Sequence, residues 1–335
     1  MTGDRHRGSL DRGSWAQAHC GAIVALALLA APATAADTIR VAAQKTGTLA
    51  WELAVVRAHG YDRESGLDIV TTELATPEAG KIALRGGSAD VIVSDWLWVS
   101  RERALGGKLV FYPYSSAVGA VMAAPGAPIA ALTDLKGRSL AVAGGPLDKS
   151  WLLLQAALKQ DGVDVKTQGT IAYGAPALLA QKTLRGEFDA TLNYWNFCAE
   201  LEAKGLRRVA GIEDILPRLG ATGRSAMLGY VFDERWAAQH RDAIARFTAA
   251  TRKAKDALAA SDDEWQRIAP LAGISSAATL KAYRDRYRAG IPRRPIAAEE
   301  ADARVLYGVL ARLGGTELVG PAPELAPGTF YRPEE

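Results

Sequence analysis

The segment Leu84-Arg-Gly-Gly-Ser-Ala-Asp-Val-Ile-Val-Ser-Asp-Trp-Leu-Trp98 returns in abbreviated form as Leu184-Arg-Gly-Glu-Phe-Asp-Ala-Thr-Leu-Asn-Tyr-Trp195. This repeat constrains the fold more than any other feature of the chain. In both copies Leu-Arg-Gly reads as the end of a helix with Gly as its left-handed cap, and an Asp follows, Asp90 or Asp189. Next comes an apolar run too short for a helix and suited to a buried strand, Val91 to Val93 or Ala190 to Leu192. Polar residues and a Trp close each copy: Ser94, Asp95 and Trp96 in one, Asn193, Tyr194 and Trp195 in the other.

The repeat extends upstream, the direction in which such self-similarity should be sought. Arg40 to Gln44 answers Ser139 to Ala143 as a first strand, and Trp51 answers Trp151 at the opening of a helix. Leu67 to Thr71 answers Val163 to Gln168 as a second strand, and Pro77 and Pro176 lead the helices that run into Leu-Arg-Gly. Each half therefore reads β-α-β-α-β, the order that builds a parallel sheet flanked by helices. Leu109 to Tyr112 reads as a further strand ended by Pro113, and Ala226 to Phe232 as a later one. Asp233 is a suitable N-cap for one long helix. In parallel sheets ligands bind just beyond the carboxyl ends of the strands, so the two repeated loops are expected to form a site.

Other features bound the function. Arg5, Arg7 and Arg12, the apolar run Gly21 to Ala31 and Ala33-Thr34-Ala35 have the form of an export leader over residues 1–36. Cleavage is expected near Ala35 or Ala36, leaving a periplasmic protein. That loss removes three Arg and two Asp and lowers the formal net charge of +3 by one, and no basic stripe suggests nucleic acid. Cys198 is then the one remaining cysteine, and His59 and His240 lie far apart. No metal-ligand spacing results, and no nucleotide or hydrolase motif is present. Neither an enzyme nor a cofactor is expected.

Four stretches resemble one family. They are the Gly86-to-Val91 strand approach; Ile129-Ala-Ala-Leu-Thr-Asp-Leu-Lys-Gly-Arg-Ser-Leu-Ala-Val142; Trp151 to Leu158; and Phe232 to His240 before a long helix. The chain resembles periplasmic solute-binding proteins of ABC transporters, in the branch of taurine, alkanesulfonate, nitrate and thiamine-precursor binders. The resemblance implies an α/β, two-lobed type II periplasmic-binding fold, each lobe a mainly parallel sheet flanked by helices, with two crossing strands at the hinge. Residues 37–117 and 221–335 would form one lobe and 118–220 the other, with hinge motion at 116–120 and 221–230. It further implies a monomer that takes a small-molecule ligand to a membrane permease and its ATPase. An accessory protein of the same fold serving a partner enzyme, such as a dehydrogenase, is the alternative.

The candidate ligand-binding residues lie in the loops beyond the strands. In the first half they are Gln44, Lys45, Thr46, Trp51, Ser94, Asp95, Trp96 and Ser116. In the second they are Gly144, Gly145, Asp148, Lys149, Trp151, Tyr194, Trp195 and Asn196. Gly144-Gly145 either bring backbone amides to an anion or make a plain turn. The four Trp residues either clamp a ligand or pack the lobes together. Asp95 and Asp148 either meet an amine or cap helices. With no Arg in these loops, the expected ligand is a small organic molecule with an apolar or aromatic body and at most one anionic group.

Overall fold

The computed structural model describes residues 36–45 and 47–333; the leader expected over residues 1–36 falls, apart from Ala36, outside them. Five strands make the first sheet: β1 (Asp37–Gln44), β2 (Leu67–Leu74), β3 (Ile92–Asp95), β4 (Leu109–Ser115) and β10 (Leu228–Asp233). β1 pairs with β2 in parallel, and the parallel bridge Val41–Val91 carries the sheet on to β3. β10 lies between β3 and β4, antiparallel to both, so the order is β2-β1-β3-β10-β4. The second sheet holds β5 (Gly119–Ala123), β6 (Ser139–Ala143), β7 (Thr170–Gly174), β8 (Ala190–Tyr194) and β9 (Arg207–Gly211). Its order is β7-β6-β8-β5-β9, with β6 parallel to its neighbours and β5 antiparallel to both of its own. The repeat is thus a repeat of topology. Each sheet receives its reversed strand from the other half of the chain.

Ten helices matter for the site. The first half has α1 (Thr48–His59), α2 (Pro77–Arg85) and α3 (Trp96–Ala104); the second has α4 (Lys149–Gln160), α5 (Pro176–Leu184) and α6 (Trp195–Ala203). Beyond β10 come α7 (Arg241–Ala260), α8 (Asp262–Ile268), α9 (Ala277–Ala289) and α10 (Ile296–Val319), the last broken at Gly315.

The repeated Asp explains why the motif recurs. Asp90 accepts hydrogen bonds from the Arg40 amide (2.8 Å) and from the Arg40 guanidinium. Asp189 accepts from the Ser139 amide and hydroxyl, both at 2.8 Å, and its own amide donates back to Ser139 Oγ at 2.9 Å. Each carboxylate therefore fastens the start of the third strand of its half to the first. The helix caps are left-handed glycines in both copies, but in the first the residue is Gly87 (φ 70°) rather than Gly86 (φ −79°). Gly186 (φ 76°) serves in the second, which accounts for the extra residue in the longer copy.

Three expectations need correction. Val163 to Gln168 is not a strand: Asp164 caps the turn of helix Val165–Gln168 through the Lys166 and Thr167 amides, and the strand starts at Thr170. Pro113 does not end β4, because an edge strand tolerates the missing donor. The helix capped by Asp233 stops at Gln239, His240 leaves helical geometry, and α7 starts afresh at Arg241. The C-terminal segment pairs along β4, through Phe111 N to Thr329 O and Tyr331 N to Phe111 O, both 2.8 Å.

Under the first sheet a charged pair is sealed from water. Glu52 of α1 is 0% exposed and Lys255 of α7 is 4% exposed, and the two are hydrogen-bonded. The Tyr230 and Tyr287 hydroxyls donate to the same carboxylate at 3.0 and 2.6 Å, and the Lys255 ammonium sits 3.8 Å from the Tyr114 ring centre. Burial lowers the Lys255 pKa, against the pull of Glu52, and raises those of Tyr114, Tyr230 and Tyr287 well above the phenol value.

Both segments that cross between the sheets are tied down. Ser116 donates its amide (2.9 Å) and hydroxyl (3.3 Å) to the carbonyl of Gly290, just after α9. In the second crossing, Thr222 donates to Asp302, while Ser225 Oγ and Ala226 N donate to Glu299 at 3.0 and 2.7 Å.

The paired aspartates predict a pH-dependent loss. Asp189→Ala strands the Ser139 amide and should cost about 1–2 kcal/mol at neutral pH. The Ser139 amide, more than any other group, holds the Asp189 pKa below the usual carboxylate value. Its contribution is therefore complete above the unfolded value of about 3.9 and disappears as pH falls through the depressed one. Urea denaturation from pH 7 to 3 should show wild type and variant converging at the acid end; a gap that widened there would contradict this role.

Candidate functional site

The candidate residues lie in loops beyond β1, β3, β6 and β8. Gln44 and Lys45 are exposed at the end of β1, and Thr46 lies outside the described residues. Ser94 is buried at the end of β3. Asp95 starts α3 by accepting the Trp98 amide at 2.8 Å, and its second oxygen faces Lys149 Nζ at 3.3 Å. Asp148 starts α4 by accepting the Ser150 and Trp151 amides at 2.9 and 3.3 Å. Its free oxygen accepts from the Tyr194 hydroxyl at 3.4 Å. Gly144 has φ 87°, and a Cβ there would fall 3.1 Å from both that oxygen and that hydroxyl. The position therefore demands glycine twice over, whereas Gly145 faces open space.

Loops of both sheets thus meet at one cluster of Asp95, Gly144, Asp148, Lys149 and Tyr194. Burial pushes the Asp95 pKa up, but Lys149 and the Trp98 amide outweigh it and leave it below the usual carboxylate value. Asp148 is raised by burial despite Lys149. Asp95 raises the Lys149 pKa against the cost of burial. Tyr194 is pushed up to about 12, by burial first and Asp148 second. Lys81 of α2 also acts on Asp95, and lies 5.2 Å from the Trp98 ring centre. Sequence reasoning missed Lys81, because nothing local marks a lysine on a helix as facing a site.

The aromatic clamp is corrected by packing. Trp51 is 2% exposed, and Trp96 and Trp151 are 0% exposed, so none of the three offers a face to a ligand. Trp195 is half-buried and meets Trp51 edge-on at 6.1 Å and Tyr283 of α9 at 5.5 Å. It wedges α6 against α1 and α9, with Tyr283 donating to Glu200 at 2.8 Å beside it. Asn196 lies by the Tyr283 hydroxyl. Ser116 is also corrected, since its hydroxyl is spent on Gly290 at the crossing segment. Cys198 is buried against Ala120 O and Asn193 O, and burial pushes its thiol up to about 12, which leaves it unreactive.

Among the described residues no group of three or more His, Cys, Asp or Glu could hold a metal ion, and no helix is long and apolar enough to cross a membrane. A separate open depression of about 510 Å³ is lined by Arg103, Lys108, Arg304 and the segment 321–327, and by none of the strand-end loops.

Two matched α/β sheets exchanging one strand each, with facing strand-end loops, define the two-lobed periplasmic-binding-protein fold. The profile of the NMT1/THI5 like family matches residues 51–264, and the chain belongs to that family. A search of curated proteins finds no significant match. Among solved structures, the periplasmic aliphatic sulphonate binding protein SsuA of Escherichia coli is 21% identical, with TM-score 0.70 over 89% of this chain and 92% of its own. An ABC transporter protein of Parabacteroides distasonis shares 14% identity at TM-score 0.68, over 88% of this chain and 99% of its own. The alkanesulfonate-binding protein SsuA of Xanthomonas axonopodis pv. citri, solved with MOPS, shares 19% at TM-score 0.64, over 88% and 98%. At these identities the structural likeness establishes the fold.

The packed tryptophans predict stability effects that need no ligand. Trp96→Ala and Trp151→Ala should each cost about 3–5 kcal/mol, and half-buried Trp195→Ala about 2 kcal/mol. Urea denaturation of ligand-free protein checks this. Unchanged stability in Trp195→Ala would contradict its role as a packing wedge.

Proposed function

We propose that the protein is an exported receptor that binds a small organic solute between the two sheets and delivers it to an ABC permease and its ATPase. The observation that carries this reading is the meeting of β3–α3 and β6–α4 loops from different sheets around Asp95 and Lys149, 3.3 Å apart. A charged pair taken partly out of water between two hinged bodies is suited to ligand recognition rather than to stability, where such pairs contribute little. The names of the solved relatives support a transport role, since two of those above are sulfonate binders by name and the third an ABC transporter protein. In this reading residues 37–117 with 221–335 form one lobe and 118–220 the other. Closure is a hinge motion at 116–120 and 221–230. The protein works as a periplasmic monomer without catalysis. The ligand presents an apolar body to Tyr194 and the free face of Trp195.

One observation favours the accessory reading. Trp195 with Tyr283 and the Arg286–Glu202 pair join the two halves through side chains of this chain alone. Halves joined in this way suit a rigid body that serves a partner enzyme.

A thermal-shift screen of sulfonates, aromatic acids, amines, nitrate and sulfate separates the two. The receptor reading expects at least one organic solute to raise the melting temperature, and small-angle scattering to show compaction on binding. No shift by any solute, together with co-purification of a partner enzyme, would replace it by the accessory reading.

A further inference from the structure

The charges at this cluster are met by one another within the chain. Asp95 and Lys149 come from different sheets, with side chains 14% and 27% exposed, and they satisfy one another at 3.3 Å. Asp148 lies next to Lys149 in sequence and shares its field, and Lys81 shares that of Asp95. Glu78, the remaining acid nearby, is on the exposed rim, 3.9 Å from Lys81. Two ammonium groups thus stand against two carboxylates. Neither carboxylate is free to swing away. Asp95 is held by the Trp98 amide, and Asp148 by the Ser150 and Trp151 amides. Lys149 is the member not tied to a helix amide, so an occupant of the site reaches it by drawing it off Asp95.

An occupant with one charge leaves a partner behind. A simple anion that takes Lys149 strands Asp95 in a half-buried place, and a simple cation that takes Asp95 strands Lys149. An uncompensated buried charge is the costly outcome, more so than the pair itself is favourable. Resting on the receptor reading above, we propose that Asp95 and Lys149 determine specificity by charge pattern: the ligand is dipolar, its anionic head on Lys149 and its cationic group on Asp95. The anionic head can be a carboxylate or a sulfonate, since both accept from one ammonium.

The test is calorimetric titration of the purified protein with matched probes. The dipolar probes are 4-aminobutyrate and 3-aminopropanesulfonate, the simple anions butyrate and propanesulfonate, and the simple cation butylamine. Wild type should bind one of the dipolar probes at least about tenfold more tightly than its monofunctional relatives, and which of the two identifies the head group. Asp95→Asn keeps the helix cap, since Asn caps as well as Asp, but frees Lys149. The simple anion should then gain about tenfold or more on its dipolar counterpart. Lys149→Gln should favour butylamine in the same way. A simple anion that equals its dipolar relative in wild type, or a ranking unchanged in Asp95→Asn, overturns the proposal. So does the absence of binding by all five probes. The receptor reading itself falls only if the broader solute screen is also silent, so the two failures are separable, and the wild-type ranking decides even if a variant does not fold.

Discussion

Glu52 and Lys255 carry opposite charges in a place that water does not reach, and the first sheet is assembled around them. Such a pair persists only when every remaining donor and acceptor is used. Here the Tyr230 and Tyr287 hydroxyls complete the carboxylate, and the Tyr114 ring covers the ammonium. The consequence is geometric. Glu52 comes from α1, Tyr230 from β10, Lys255 from α7 and Tyr287 from α9, so one cluster sets four elements against each other. α9 in turn offers Tyr283 to the Trp195 wedge, and the Gly290 carbonyl at its end to Ser116 in the first crossing segment. Rigidity made in the core of one half is thereby passed to the junction between halves.

The two halves repeat the same solution with different residues. Asp90 and Asp189 hold equivalent strands together, one through a guidanidinium and an amide, the other through a hydroxyl and an amide. Asp95 and Asp148 cap α3 and α4, and the starts of these two helices come together at the Asp95–Lys149 contact. Capping and recognition are not alternatives here. A carboxylate fixed by helix amides through one oxygen has its other oxygen held in place for Lys149 or Tyr194.

Much of the fold was legible because the repeat preserves spacing, and spacing determines topology. The paired Leu-Arg-Gly turns and the strands at 92–95 and 190–194 follow from it. Side-chain direction was not legible. Trp96 and Trp195 hold matching places at helix starts, yet one is wholly buried and the other half-buried, because the partner that covers each ring comes from elsewhere in the chain. Tyr283 is the clearest instance, since no local pattern in α9 marks it as the neighbour of Trp51 and Trp195. The Asp95–Lys149 contact was hidden for the same reason. Both residues were marked as candidates, but only folding shows that they face each other. The misplaced strand at 163–168 has a different cause: Val163, Val165 and Thr167 alternate as in a strand, but the Asp164 side chain caps the Lys166 and Thr167 amides and starts a helical turn instead.

The central claim is that ligand binds where the two sheets' loops meet. A crystal structure of the protein with a solute that raises its melting temperature tests this most directly. The solute should lie between Ser94–Trp96 and Gly144–Lys149, with Lys149 drawn off Asp95. A solute bound instead in the depression beside Arg103 and Arg304, with the Asp95–Lys149 contact intact, would contradict it.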